Sequence, residues 1–160
     1  MIALGILLYK IAFLTFTIAF GGILYQHIVE FRNWSSGIPE SLYAYRQFFK
    51  VSDFGRFFKM FMPLSTICLV VSAIMLRSVE GNGETWVLAC TGGCILTAVF
   101  TNAYFIPRHR KLFDEPIDER NTEDLEKIAD QWRSANYFRM LLMAITVVSF
   151  LEGIKLLSVG

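Results

Sequence analysis

The stretch TNAYFIPRHRKLF at residues 101–113 leads through an acidic connector into WRSANYFR at residues 132–139. Asn102, Tyr104, Pro107, Arg108 and His109 close one long apolar segment, and Trp132, Asn136 and Arg139 open the next. Apolar runs of bilayer-crossing length that end in such aromatic and basic boundaries read as membrane helices. The whole composition agrees. With 160 residues the chain is one domain, 18% of its residues are charged, and its mean hydropathy is +0.47. A net charge of +1 gives no global electrostatic argument for nucleic acid. The three cysteines, Cys68, Cys90 and Cys94, lie in apolar segments without a C-x-x-C spacing, which points to packing and away from disulfides or redox relay.

Working outward, the third span covers residues 85–106, with Pro107 expected to stop it, and the fourth covers residues 137–158. The connector, residues 114–130, is acidic at first. Residues 123–132 then read as a short helix, with Thr122 as its cap and Leu125, Ile128, Ala129 and Trp132 on one stripe. The first span covers residues 2–25. Lys10 interrupts its apolar run and no small-x-small site follows, so it reads as a retained span and not a cleaved leader. The small residues Gly5, Ala12, Ala19, Gly21 and Gly22 favour close helix packing.

After SSGIP, residues 39–50 form an amphipathic helix for the membrane surface, with Leu42, Tyr45, Phe48 and Phe49 spaced by three and four. The second span covers residues 57–76, with Pro63 marking its start or a kink, and residues 80–83 make a tight turn. The architecture expected is therefore all-α: an antiparallel four-helix transmembrane bundle of up-down topology, residues 1–160 as one domain, with an interfacial helix between spans one and two. Lys and Arg crowd the first and third connections, which should face the cytoplasm and leave both termini outside. In a bacterium the membrane would be the plasma membrane.

Depth singles out candidate site residues. Asn102, Arg139, Gln26 and His27 fall at one level near the cytoplasmic ends of their spans, where polar side chains usually face a bundle interior. The bland alternative has Arg139 and His109 reaching to headgroups and Asn102 bonding the backbone. Lys10 and Glu152 share a depth in the other half and read as a structural ion pair. His27, Glu30 and His109 have the donor types of a metal site, and two histidines on different helices those of a haem site. Each histidine also sits where interfacial histidines are common, so no metal and no cofactor is expected. No G-x-S-x-G, H-E-x-x-H or phosphate-cradling loop occurs.

A small-residue helix ending N-x-x-x-x-P-x-x-x-x-L at Asn102, Pro107 and Leu112, then W-x-x-x-N-x-x-R at Trp132, Asn136 and Arg139, resembles the anthrone-oxygenase-like family of small four-helix membrane proteins. Many of that family have no assigned reaction. The resemblance covers the C-terminal half through these motifs and the N-terminal half through span layout. Many members carry Asn where this chain has His109, and often His where it has Asn136. It implies oxygenation of polyketide anthrones to anthraquinones without a cofactor. His109 would be the base, with Arg139 and Asn102 as donors to the anion. Gln26, His27, Trp132 and Asn136 would contact the ligand.

Two functions of different class follow. One is an oxidoreductase acting on an apolar aromatic or quinone-like molecule inside the bundle. The other is a non-enzymatic membrane module that binds lipid or a partner protein through the amphipathic helix and the basic face. A closed cavity reaching Asn102 and Arg139 favours the first, and a filled core the second. The lipid bilayer is the expected environment in both. Oligomeric state is not legible in the sequence.

Overall fold

In the computed structural model the described residues are 1–77, 83–118 and 121–159, with the side chains of residues 158 and 159 excepted. Residues 80–82 of the turn expected at 80–83, and Arg120, lie outside them. Regular structure among the described residues is helical. Helix α1 (Ile2–Ser35), α3 (Phe54–Met75), α4 (Gly83–Asp114) and α5 (Thr122–Val159) are each long and apolar enough to cross a bilayer, and short α2 (Glu40–Phe48) lies between the first two. The protein is a multi-pass membrane protein.

The helices outrun the membrane on one side. The 38 residues of α5 extend about 57 Å, whereas about 20 residues cross the hydrocarbon. The ends of α1 and α4 and the start of α5 thus project together and, with α2, form a head. Around the bundle each spanning helix packs on its sequence neighbours, and α5 closes the ring on α1. Sequence neighbours run antiparallel, as the register of Ser65 on Ala12 and Ser72 on Gly5 shows for α3 and α1, which is an up-down order.

Two separate cores result. Between the spans lie Tyr9, Ala12, Phe16, Ala19, Leu69, Cys90, Cys94, Met143 and Phe150, all buried. In the head lie Phe31, Trp34, Ile38, Leu42, Phe105, Leu112, Leu125, Ala129 and Trp132. Lipid tails are as apolar as leucine, so spans associate by close fit and by polar links. Ser65 donates to the Ala12 carbonyl and Ser72 to the Gly5 carbonyl, each at 2.9 Å, tying α3 to α1. Gly93 lets Thr146 approach, and Gly153 lets the Tyr9 hydroxyl approach. A Cβ at either position would collide with that neighbour.

Four boundaries differ from expectation. The first span does not end at Tyr25, because a π-helical turn at Gln26–Glu30 carries α1 on to Ser35. The third does not stop at Pro107. A π turn at Thr101–Phe105 precedes it, with the Ile106 N–H bonded to the Thr101 carbonyl, and the wide turn admits the pyrrolidine ring. The fourth span and the short helix before it are one helix, since nothing between residues 132 and 137 breaks it. Pro63 lies inside α3, whose cap is Asp53: its carboxylate accepts the Arg56 N–H at 3.0 Å.

Candidate functional site

Polar groups gather in two places near the junction of spans and head. The first is a buried layer on α1 and α5. Arg139 is 4% exposed and Asn136 0%. The Arg139 Nε donates to Asn136 Oδ1 at 2.9 Å, and Nη2 donates to the same oxygen. That fixes the amide, because arginine can only donate. The Asn136 nitrogen therefore donates to Nδ1 of His27 at 3.1 Å, and Nδ1 accepts. The guanidinium lies 3.8 Å from the Phe105 ring centroid and 5.9 Å from that of Trp132, a cation–π setting. Phe31 stacks on Trp132 at 5.5 Å, and Tyr137 meets His27 edge-on at 4.4 Å. No carboxylate forms an ion pair with Arg139 among the described residues. Aromatic faces and one amide dipole surround its charge.

The second place is an open cleft of about 190 Å³ between α2, the start of α3 and the end of α4. Phe49, Phe54 and Phe113 form aromatic walls, and His109, Asp53 and Asp114 line it from two sides. His109 is half-buried, with its ring 4.5 Å from that of Phe113. Tyr45, Arg46 and Lys50 bring α2 to the rim. Helix α2 is strapped down there. Arg46 donates to the Leu112 carbonyl from Nε (3.0 Å) and Nη2 (2.6 Å) and to the Glu115 carbonyl from Nη1 (2.7 Å), closing the C-terminal end of α4. The Tyr45 hydroxyl donates to Glu30 at 2.8 Å. Burial and the Glu30 carboxylate push the Tyr45 phenol well above its ordinary range, so it stays a donor throughout the physiological range. Burial lowers the Arg46 guanidinium, and Asp114 pulls it the other way.

The structure brings together His27, Trp132, Asn136 and Arg139, with Gln26 buried beside His27. It does not bring Asn102 or His109 to Arg139. Asn102 is exposed, and its amide donates to the Ala98 carbonyl at 2.8 Å. The reason is angular. The buried face of α4 is set by Val87, Cys90, Cys94 and Thr97. Five residues past Thr97 places Asn102 about 140° away from that face. Phe105 takes the place over Arg139 instead.

The Lys10–Glu152 pair is corrected too. Lys10 is exposed, and Glu152 accepts from Lys155 at 2.6 Å on its own helix. At that depth α1 meets α5 through Tyr9 and Gly153, the immediate neighbours, and through Phe150.

Among the described residues no three His, Cys, Asp or Glu side chains gather closely enough to hold a metal. Glu30 serves Tyr45, His27 serves Asn136, and His109 lines the cleft. The layer at Arg139 is closely packed: Asn136 and Arg139 are buried, with Phe105 and Trp132 over the guanidinium. The spacing of α2 reads as a membrane-facing stripe and does not reveal that Tyr45 and Arg46 line the cleft with Asp53. The one available signal was the D-x-x-R start of α3, which marks Asp53 as a cap.

Comparisons with known proteins bear on both places. Neither curated proteins nor solved structures give a match. A family model described as anthrone oxygenase matches residues 54–149. The match begins at the first residue of α3 and takes in His109, Phe113, Trp132, Asn136 and Arg139, while α1 and α2, which supply His27 and the strap, precede it. It covers more than half of the 160 residues, and the chain therefore belongs to the anthrone oxygenase family.

Proposed function

We propose that the protein is an oxygenase working at the membrane boundary on a flat phenolic aromatic molecule, and that the cleft around His109 is its site. The observation that carries the reading is a half-buried imidazole between aromatic walls and beside the cations Arg46 and Lys50. Membership of the anthrone oxygenase family supports it. The cleft is smaller than the roughly 300–1,000 Å³ of ordinary ligand pockets. A three-ring substrate fills it and extends toward the interface, where an apolar phenol partitions. This reading moves the reaction from the bundle interior to the cleft.

In this reading His109 removes a proton from the benzylic CH₂ of an anthrone-like substrate. The electron pair delocalises onto the carbonyl oxygen across the central ring, and the charges of Lys50 and Arg46 stabilise that anion. The carbanion gives its electrons to O₂, a carbon–oxygen bond forms, and the second C–H bond and the O–O bond break. One oxygen atom stays as the new carbonyl and the other leaves as water. The CH₂ loses four electrons and O₂ gains four, so no further reductant is required. The packed layer of Arg139, Asn136 and His27 holds α1 on α5 beneath the cleft and does not touch substrate.

The test is turnover of an anthrone by the purified protein in nanodiscs, read as oxygen uptake and anthraquinone absorbance. His109→Ala should lower kcat by roughly 10²–10⁴-fold with helical content unchanged. Full turnover in His109→Ala removes His109 from the reaction. The packed bundle core also suits the non-enzymatic module, which requires no oxygen uptake by the natural protein with any anthrone. We further propose that the head is cytoplasmic and both termini lie outside, in the plasma membrane if the host is bacterial. Single cysteines at Ile2 and Asn121 should then label from opposite sides.

A further inference from the structure

At the end of the bundle away from the head, α3 and α4 part to leave a groove of about 370 Å³. Its walls are Val70, Ala73 and Ile74 on α3 and Leu88 on α4, and Arg77 and Glu84 stand at its outer end. Because the helices are antiparallel, the two charges lie at one level. The groove runs inward from them for about two turns, roughly 10 Å. Thr91 at its inner end spends its hydroxyl proton on the Val87 carbonyl at 2.7 Å, so it has no donor left for the groove. Ile74 is 70% exposed and Leu88 55%, so the walls face the hydrocarbon.

The charges are the informative part. Arg77 and Glu84 line one groove, yet neither has an ion-pair or hydrogen-bond partner among the described residues. Opposite charges at an apolar margin ordinarily join each other or a third group. Here a guanidinium fork and a carboxylate stand apart over an apolar channel, the complement of a zwitterion on an acyl chain. Guanidinium matches phosphate in two parallel hydrogen bonds, and carboxylate accepts N–H from a primary ammonium.

We infer that this groove binds one phospholipid whose headgroup carries a phosphate and a primary amine, with phosphate on Arg77, ammonium on Glu84 and one acyl chain along Val70, Ala73, Ile74 and Leu88. A quaternary ammonium has no N–H to give Glu84, and an anionic headgroup without an amine meets its negative charge. The site therefore selects phosphatidylethanolamine over phosphatidylcholine and phosphatidylglycerol of the same chains.

Native mass spectrometry of the full chain, released from micelles doped with each lipid in turn, tests this. The natural protein should retain one phosphatidylethanolamine with at least tenfold preference over the other two. Leu88→Trp, on an exposed wall where folding is unaffected, should abolish retention by filling the channel. Glu84→Lys should reverse the preference toward phosphatidylglycerol. Equal retention of all three lipids overturns the proposal, and so does retention that survives Leu88→Trp, since either describes ordinary annular lipid. A dimer in place of a lipid adduct, lost in Leu88→Trp, overturns it as well by making the groove a seam between copies.

Discussion

The span core and the head core share α1, α4 and α5, with α3 completing the first and α2 the second, and they are held in different ways. Between the spans, contact depends on small residues and a few hydroxyls: Ser65 on Ala12, Ser72 on Gly5, and glycines under Thr146 and Tyr9. Most polar side chains there bond their own helix, as Thr15, Thr66, Thr91 and Thr97 do. In the head, large aromatic rings fill the interior. Polar side chains reach across elements: Arg46 to Leu112 and Glu115, Tyr43 to Ile117, Tyr45 to Glu30, Arg108 to Gln131. The difference follows from the solvent. Water drives burial of aromatic area in the head, where loop carbonyls offer acceptors. Lipid gives no such drive, and the carbonyls there are already bonded along their helices, so only a few accept a second bond from a neighbouring span. The buried polar layer lies where the two regimes meet, deep enough to be dry and close enough to the head to be roofed by Phe105 and Trp132.

The sharpest way to break this comparison is at that meeting layer. Asn136→Leu leaves the buried Arg139 without its acceptor and His27 without its donor, and should cost about 3–5 kcal/mol. Asn136→His should recover much of this, because one imidazole nitrogen can accept from Arg139 while the other donates to His27. Thermal unfolding in detergent decides: equal stability of natural protein and Asn136→Leu would mean that the layer does not couple head to spans.

How far the sequence carried is clearest at this layer. Hydropathy and boundary residues located all four spans, their order and the polar level, because those depend on composition along the axis. They did not locate angle. Asn102 sits at the right depth on the wrong side of α4, and Lys10 misses Glu152 by one residue, with Tyr9 holding the inward position. The π turns compound this, since each adds a residue that a 3.6-residue period does not contain. The cleft was out of reach for another reason. It exists only because Arg46 ties α2 to carbonyls more than sixty residues away in sequence, and no local pattern announces a partner of that kind.

Two substitutions of intermediate size should separate the regions. Gly93→Val forces a branched side chain against the buried Thr146 and should destabilise the spans by about 1–3 kcal/mol. Arg46→Gln removes three donations to backbone carbonyls in the head and, discounted for its partial exposure, should cost about 1 kcal/mol. Two of the three tryptophans, Trp34 and Trp132, lie in the head core, so intrinsic fluorescence weights the head while circular dichroism weights all helices. Arg46→Gln should move the fluorescence midpoint ahead of the dichroism midpoint, and Gly93→Val should move dichroism at least as far as fluorescence. If both probes shift together in both variants, head and spans are one cooperative unit.

The smallest effect sharpens the angular argument. Had Lys10 and Glu152 formed a buried pair, each single change would strand a charge, and the double change would cost much less than the sum. The structure gives them separate surroundings instead. Lys10 faces outward, where its long stem can carry the ammonium toward the interface. Glu152 is held by Lys155 three residues on, with side-chain exposures of 39% and 68%, a surface pair worth about 0.3–0.5 kcal/mol at most. Lys10→Met should thus leave stability unchanged or slightly raised, since it removes a charge from the lipid face. Glu152→Gln should cost only what the Lys155 contact supplies. The two effects should add within about 0.5 kcal/mol, as they do for sites without shared partners. A coupling above that in a double-mutant cycle would mean that the two side chains meet across α1 and α5, and that depth alone located them after all.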